Sequence, residues 1–217
     1  MSYKSEVEQK VAEFLLQIKA IKLQPGNPFT WASGWKSPIY CDNRITLSHP
    51  AIRTYIRQKL TALVQEEFGS VSVIAGVATA GIPQGVLVAQ ELGLPFIYVR
   101  SKAKEHGTGS LIEGEFSPGQ RVVVVEDLIS TGKSSLQAVS ALRDAGCVVA
   151  GLVGIFHYGF DAADENFKQA KCPFYTLSNY KALIDYAEKH SFVAAQDLKL
   201  LRKWREDPQA WGDTTKA

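Results

Sequence analysis

The stretch from Arg121 to Ser135, RVVVVEDLISTGKSS, limits the folds open to this chain more than any other. Val122 to Val125 are β-branched in succession, stiff at χ1, and read as a strand buried on both faces. Two carboxylates, Glu126 and Asp127, follow the strand. Next comes a turn of small residues, Ser130, Thr131 and Gly132, with Ser134 and Ser135 just beyond. Leu136, Val139, Ala141 and Leu142 then recur at helical spacing. The order is therefore buried strand, acidic pair, small-residue loop, helix. In open α/β sheets a ligand binds at the carboxyl ends of the strands, where such a loop sits. Backbone N–H groups and hydroxyls at a helix start cradle a phosphate. Two carboxylates beside such a cradle suit sugar hydroxyls, or a Mg²⁺ shared with the phosphates of a substrate.

Two other readings compete. Gly132, Lys133 and Ser134 look like the end of a P-loop, but that motif needs a glycine where Asp127 stands, and an acid there would repel a triphosphate. An ordinary strand–turn–helix with a capped helix start is the plainer alternative. Adjacent acids at the end of a buried strand fit it poorly.

Composition narrows the class. The chain has 217 residues, 46% hydrophobic and 21% charged, which suits one globular domain with a substantial core. A net charge of +2 asks for neither nucleic acid nor membrane as partner. No apolar run reaches transmembrane length, and the charged start MSYKSEVEQK lacks the apolar core of a signal peptide. Cys41, Cys147 and Cys172 form no CxxC pair and no even framework, so they read as reduced thiols of a cytoplasmic protein. The histidines are too scattered for a metal site, and no protein-held metal is expected.

Taken in order, residues 5–21 carry Val7, Val11, Phe14, Leu15 and Ile18 at helical spacing. Residues 24–50 are rich in Pro, Gly and aromatics, too aromatic for a linker and too broken for a helix. Irregular loops of this length are often functional. Trp31, Trp35 and Tyr40 could stack on a planar base, and Arg44 could meet a carboxylate bidentately; a surface flap with a few packed aromatics is the alternative. Residues 50–68 predict a helix and Val71–Ala75 a strand. Gly76 to Gly81 is a second strand-to-helix turn of small residues, leading to a helix that ends near Leu92. Phe96–Val99 reads as a strand ending in the basic, glycine-punctuated segment Arg100 to Gly109. Such a loop can close over a pyrophosphate, or simply be solvated. Cys147–Phe156 predicts another buried strand, and residues 160–170, 179–189 and 194–206 predict helices.

The 121–135 stretch resembles the phosphoribosyl pyrophosphate (PRPP) motif of the type I phosphoribosyltransferases. Two further stretches, Phe29-Thr30 through SPIYCDNR and RSKAKEHG, are similar to the hood segment and the catalytic loop of the orotate-using members of that family. The resemblance implies an α/β fold, with a mostly parallel central sheet flanked by helices. It implies a small N-terminal hood at about 24–48, a core at about 50–190 and a C-terminal helix at about 194–206, all in one domain. It also implies transfer of the ribosyl phosphate group from PRPP to orotate with Mg²⁺, giving orotidine 5′-monophosphate and pyrophosphate in pyrimidine biosynthesis. A homodimer with an active site shared between subunits comes with it. Mg²⁺ is expected to be held mainly by PRPP.

Residue by residue, the resemblance assigns Lys104, His106 and Asp127 to catalysis. PRPP falls to Arg100, Lys104, His106, Glu126, Asp127, Leu128, Ile129, Ser130, Thr131, Gly132, Lys133 and Ser134, with the acids on the ribose. Orotate falls to Ser130, Tyr40 and Cys41. Ala32, Ala80 and Ser101 stand where some relatives place basic residues, and His157-Tyr158-Gly159 lacks an arginine that meets orotate in some of them. Arg44 is the candidate replacement. A non-catalytic PRPP-binding regulator would usually carry a DNA-binding module, and the SPIYCDNR segment argues against a purine base as acceptor.

Overall fold

A computed structural model describes residues 3–31, 34–102 and 110–211. Its centre is a six-stranded sheet in the order β10-β9-β8-β5-β6-β7. These strands are β5 (Val73–Val77), β6 (Phe96–Val99), β7 (Ile112–Glu113), β8 (Arg121–Ile129), β9 (Val148–His157) and β10 (Phe174–Asn179). All neighbours run parallel except β7, which lies antiparallel on β6.

The valine run forms the middle of the sheet because it can be covered twice. Val123 and Val125 face one apolar cluster, while Val122 and Val124 face the other. Each is fully buried, a gain of about 1.5–3 kcal/mol per side chain. The first face is covered by α1 (Tyr3–Gln17), α2 (Pro50–Phe68), α3 (Gly81–Leu92), α6 (Tyr180–Lys189) and α7 (Ala195–Glu206). The second is covered by α4 (Lys133–Asp144) and α5 (Asp161–Gln169).

From β5 the chain moves outward to β6, returns to β8 on the other side of β5, and then continues outward through β9 to β10. The direction reverses between β5 and β8, and their carboxyl ends open a crevice there. Gly81 at the start of α3 allows the close approach that shapes this crevice: a Cβ at that position would run into the Val125 carbonyl oxygen.

The N-terminal helix packs far along the chain, on β10 and α6. Ser178 Oγ donates to the Glu8 carbonyl at 2.8 Å, and Gln9 Nε2 donates to the Ala182 carbonyl at 3.3 Å. The stripe Val7, Val11 and Leu15 is buried in this packing.

Residues 24–50 differ from the irregular loop expected of them. β1 (Ile21–Leu23) pairs antiparallel with β4 (Ile39–Cys41), β2 (Phe29–Thr30) pairs with β3 (Lys36–Ser37), and a 3₁₀ helix runs over Asn43–Ser48. Such short strands carry no periodic signal, and their pairing is fixed by contacts such as Trp31 Nε1 donating to the Ile39 carbonyl at 3.1 Å. β7 and β10 are likewise additions to the expected elements. The strand expected at Val71–Ala75 lies at Val73–Val77, and the one expected to begin at Cys147 is Val148–His157.

Candidate active site

The acidic pair lies at the carboxyl end of β8, beside the crevice. Glu126 is 5% exposed, and Asp127 is partly buried. Glu126 Oε1 accepts from the Asp127 N–H at 3.0 Å, and Oε2 accepts from Ser135 Oγ at 3.2 Å. Burial pushes the Glu126 carboxyl well above the usual carboxylate range, and the Asp127 charge pushes the same way. Burial also raises the Asp127 carboxyl, opposed by its hydrogen bond with Glu126. The pair therefore holds on to a proton more tightly than two exposed carboxylates would.

Beyond Asp127 the chain turns through Ser130 to Gly132 into α4. Gly132 has φ 78°, a left-handed conformation, and an added Cβ would lie 2.5 Å from the Phe167 ring. No side chain caps α4, and its first turn carries no acid. Its leading N–H groups are therefore without a side-chain partner, Lys133 and Ser134 are exposed, and Ser134 lines a cavity at this edge, an anion-binding arrangement. α3 likewise begins without a side-chain cap or an acid in its first turn.

Two cavities flank this loop. One, of about 390 Å³, is lined by Thr30, Trp31, Tyr40 and Cys41 of the N-terminal sheets and by Leu128, Ser130 and Tyr158 of the core. Its aromatic walls, Trp31, Tyr40 and Tyr158, suit a planar ring. Tyr40 is 40% exposed, so its ring is open to such a partner. The other, of about 340 Å³, brings Arg100 and Ser101 together with Ala78 and Ser134. A larger cavity of about 530 Å³, between α6 and α7 at the ends of β9 and β10, shares Tyr158 with the first. It holds none of the acidic pair or the loop after it, and its Arg202 and Arg205 are paired with Glu188 and Asp161.

Of the residues assigned from sequence, Tyr40, Cys41 and Ser130 therefore share one cavity, and Arg100 and Ser134 share the second. Lys104 and His106 lie outside the described residues. Arg100 is ion-paired with Glu113 at 3.4 Å. Arg44 is exposed and holds Asp42 through two bonds of 2.7 and 2.9 Å, which keeps the Asp42 carboxyl below the usual range. Its charge still reaches Asp127, where it opposes the rise caused by burial. The enclosure of Cys41 pushes its thiol well up, with Asp127 and Asp42 adding to the effect, so the thiol stays protonated.

Sequence reasoning missed four contributors. Tyr158 lines the aromatic cavity at the place where the sequence showed only a missing arginine. Asn43, Thr46 and Gln84 are buried polar side chains beneath the acidic pair. Buried polar side chains in a loop-rich segment leave no periodic trace, so only the hydrogen bonds reveal them.

The phosphoribosyl transferase domain family matches residues 45–189. The orotate phosphoribosyltransferase of Bacteroides fragilis is 58% identical over 205 residues, covering 94% of this chain and 97% of that protein. The structure of Leishmania donovani UMP synthase superposes with a TM-score of 0.77 at 26% identity, over 92% of this chain and 42% of that longer one. Orotate phosphoribosyltransferase of Mycobacterium tuberculosis H37Rv, in complex with PRPP, superposes with a TM-score of 0.64 at 25% identity, over 82% of this chain and 98% of that one.

Proposed function

Because the chain belongs to the phosphoribosyltransferase family, and within it to the orotate phosphoribosyltransferases, we propose that it joins orotate to the ribosyl phosphate of PRPP and releases pyrophosphate. The observation that carries this reading is the Glu126–Asp127 pair, its glutamate buried and its aspartate partly so, set between an uncapped helix start and an aromatic cavity. In this reading the N–H groups and hydroxyls from Ser130 to Ser134 hold the 5′-phosphate, with Leu128 and Ile129 leading into that loop. Glu126 and Asp127 accept from the ribose hydroxyls, and the bound ribose takes over the interactions that desolvation denies the free pair. Orotate lies among Trp31, Tyr40, Cys41, Ser130 and Tyr158. Arg44, released from Asp42, meets its carboxylate.

Cleavage at C1 of the ribose leaves an oxocarbenium-like sugar, by analogy with glycosidic cleavage. The protein's work is to position both reactants and to stabilise the leaving pyrophosphate, and Arg100, Lys104 and His106 supply positive charge for that. Closure of the basic loop excludes water that would otherwise capture the sugar.

In this reading Mg²⁺ enters the site with the substrate. Each Glu126 oxygen already accepts one hydrogen bond, and Asp127 is the more exposed of the two carboxylates. No group of three His, Cys, Asp or Glu side chains among the described residues could hold a metal. PRPP oxygens would therefore hold the ion, with Asp127 beside it, and it supplies neutralisation of the growing pyrophosphate charge.

The reading includes one catalytic domain, a homodimer in which the basic loop serves the neighbouring site, and a cytoplasmic location. No described helix is long and apolar enough to cross a membrane. The test is pyrophosphate release from PRPP with Mg²⁺ and one base at a time. Orotate should support turnover, and adenine, hypoxanthine, xanthine and uracil should not. Comparable turnover with a purine would overturn the assignment.

A further inference from the structure

Beneath the acidic pair runs a polar chain that the reaction as described does not use. Asn43 is fully buried, and its Nδ2 donates to the main-chain carbonyl of Asp127 at 2.6 Å. Its Oδ1 accepts from the Cys41 thiol at 3.3 Å, and its own carbonyl accepts from Thr46 Oγ1 at 2.6 Å. Thr46 is fully buried as well, and Gln84 of α3, also buried, donates from Nε2 to Thr46 Oγ1 at 3.3 Å.

The reason for a bond at this carbonyl lies in the sheet. β5 ends at Val77, and its pairing with β8 stops at Gly76 opposite Val125. Asp127 therefore lies beyond the last β5 pair, at the point where the strands part to form the crevice. A part-buried main-chain carbonyl beyond the last strand pair takes its donor from elsewhere, and the Asn43 amide supplies it. The other end of the same amide is fixed by Cys41, which lines the aromatic cavity. Because that thiol stays protonated, it donates to Oδ1 and leaves Nδ2 for Asp127. Buried polar groups are costly to leave unbonded, and Asn43 is bonded at Nδ2, Oδ1 and its carbonyl, while the Gln84 Oε1 at the far end has no partner among the described residues.

We infer that Asn43 is a positioning residue, which sets the Asp127 peptide at the ribose end of the site and ties it to the Cys41 wall at the base end. The inference rests on the reading of Glu126 and Asp127 as the ribose-binding pair.

Asn43→Ala and Asn43→Asp test it, with Asp127→Asn as a control on the underlying reading. Thermal melting and the kinetic constants for both substrates would be measured for each. Asn43→Ala should lower kcat/KM for PRPP about tenfold per folded protein, as expected for loss of a buried bond that aims a substrate contact. Asn43→Asp has the same shape but can donate to the carbonyl only when protonated. The ratio of its kcat/KM to that of wild type should therefore rise as pH falls, while the ratio for Asn43→Ala stays flat. If Asn43→Ala melts early yet keeps kcat/KM for PRPP within about twofold per folded protein, while Asp127→Asn is impaired, the positioning role is refuted and the acidic pair stands. If Asp127→Asn is unimpaired, the acidic-pair reading falls, and the inference falls with it. Should Asn43→Ala not fold, Thr46→Val and Thr46→Ser decide the matter. Serine keeps the hydroxyl that holds the Asn43 carbonyl, so it should lose less kcat/KM for PRPP than valine. Equal losses would refute the role.

Discussion

Trp204 in α7 stands behind the aromatic cavity, and removing it should damage one substrate's binding and spare the other's. It is fully buried, with ring centroids 5.6 Å from Trp31, 5.8 Å from Tyr158, 5.5 Å from Phe160 and 5.5 Å from Tyr180. Trp31 and Tyr158 are walls of the cavity, so Trp204 holds them from the side away from the ligand. Trp204→Ala removes a large buried ring and should cost about 3–5 kcal/mol of stability. Trp204→Phe removes less. Among the described residues the indole Nε1 has no hydrogen-bond partner, so the phenyl ring also relieves an unsatisfied donor, worth about 1–3 kcal/mol. The two terms nearly offset, and the phenylalanine variant should lie within about 2 kcal/mol of wild type. Urea unfolding gives the stabilities, and steady-state kinetics gives KM for each substrate. Both variants should raise KM for orotate, the alanine variant more, with KM for PRPP little changed, because the acidic loop is built by other elements. A phenylalanine variant as unstable as the alanine one would refute this balance of packing against the orphan donor. An unaltered KM for orotate in folded Trp204→Ala would refute the wall.

Glu126→Gln should make stability less dependent on pH. Burial and Asp127 raise the folded-state pKa of Glu126, so the wild-type carboxyl favours the fold at low pH and loses that contribution as pH rises through the raised value. The variant should therefore gain on wild type in urea melts as pH rises above the ordinary carboxylate range, while losing activity, and parallel curves would contradict the proposed burial effect. Gly132→Ala forces a side chain into a left-handed position against Phe167, and should cost about 1–3 kcal/mol and raise KM for PRPP; a variant with wild-type melting would show that the turn relaxes freely. Lys104→Ala and Asp127→Asn homodimers should each be weak, yet mixing them should restore about a quarter of wild-type sites if the basic loop acts across the dimer. Mixed dimers confirmed by native mass spectrometry with no recovery would place the loop in its own subunit.

What the sequence revealed follows from how local each signal is. Val122 to Val125, the acids after them and the small-residue turn form one continuous piece, so strand, loop and helix were legible together, although β8 runs on through both acids to Ile129 and α4 begins inside the small-residue stretch at Lys133. α2 likewise spans the predicted residues, with Pro50 in its first turn. The N-terminal sheets were not legible, because strands of two or three residues have no period and depend on partners distant in the chain. β10 was missed because Phe174–Asn179 mixes aromatic and polar residues and is identified as a strand by its pairing with β9. Tyr40, Cys41 and Ser130 were named from motif resemblance and do share a cavity. Asn43, Thr46 and Gln84 escaped notice because each looks like a routine polar residue until its burial is known.

The docking of the first helix on the last strand has a consequence during synthesis. The partners of α1 are residues such as Ser178 and Ala182, which leave the ribosome long after Glu8 and Gln9. At about 5–20 residues per second, the stripe of Val7, Val11 and Leu15 waits on the order of ten seconds for the surface that buries it. In that interval the nascent chain carries an amphipathic helix whose partners on β10 and α6 are not yet made. Chaperone capture or aggregation would begin there, and a slowed translation of the second half of the message would lower yield without altering a single residue of the finished protein.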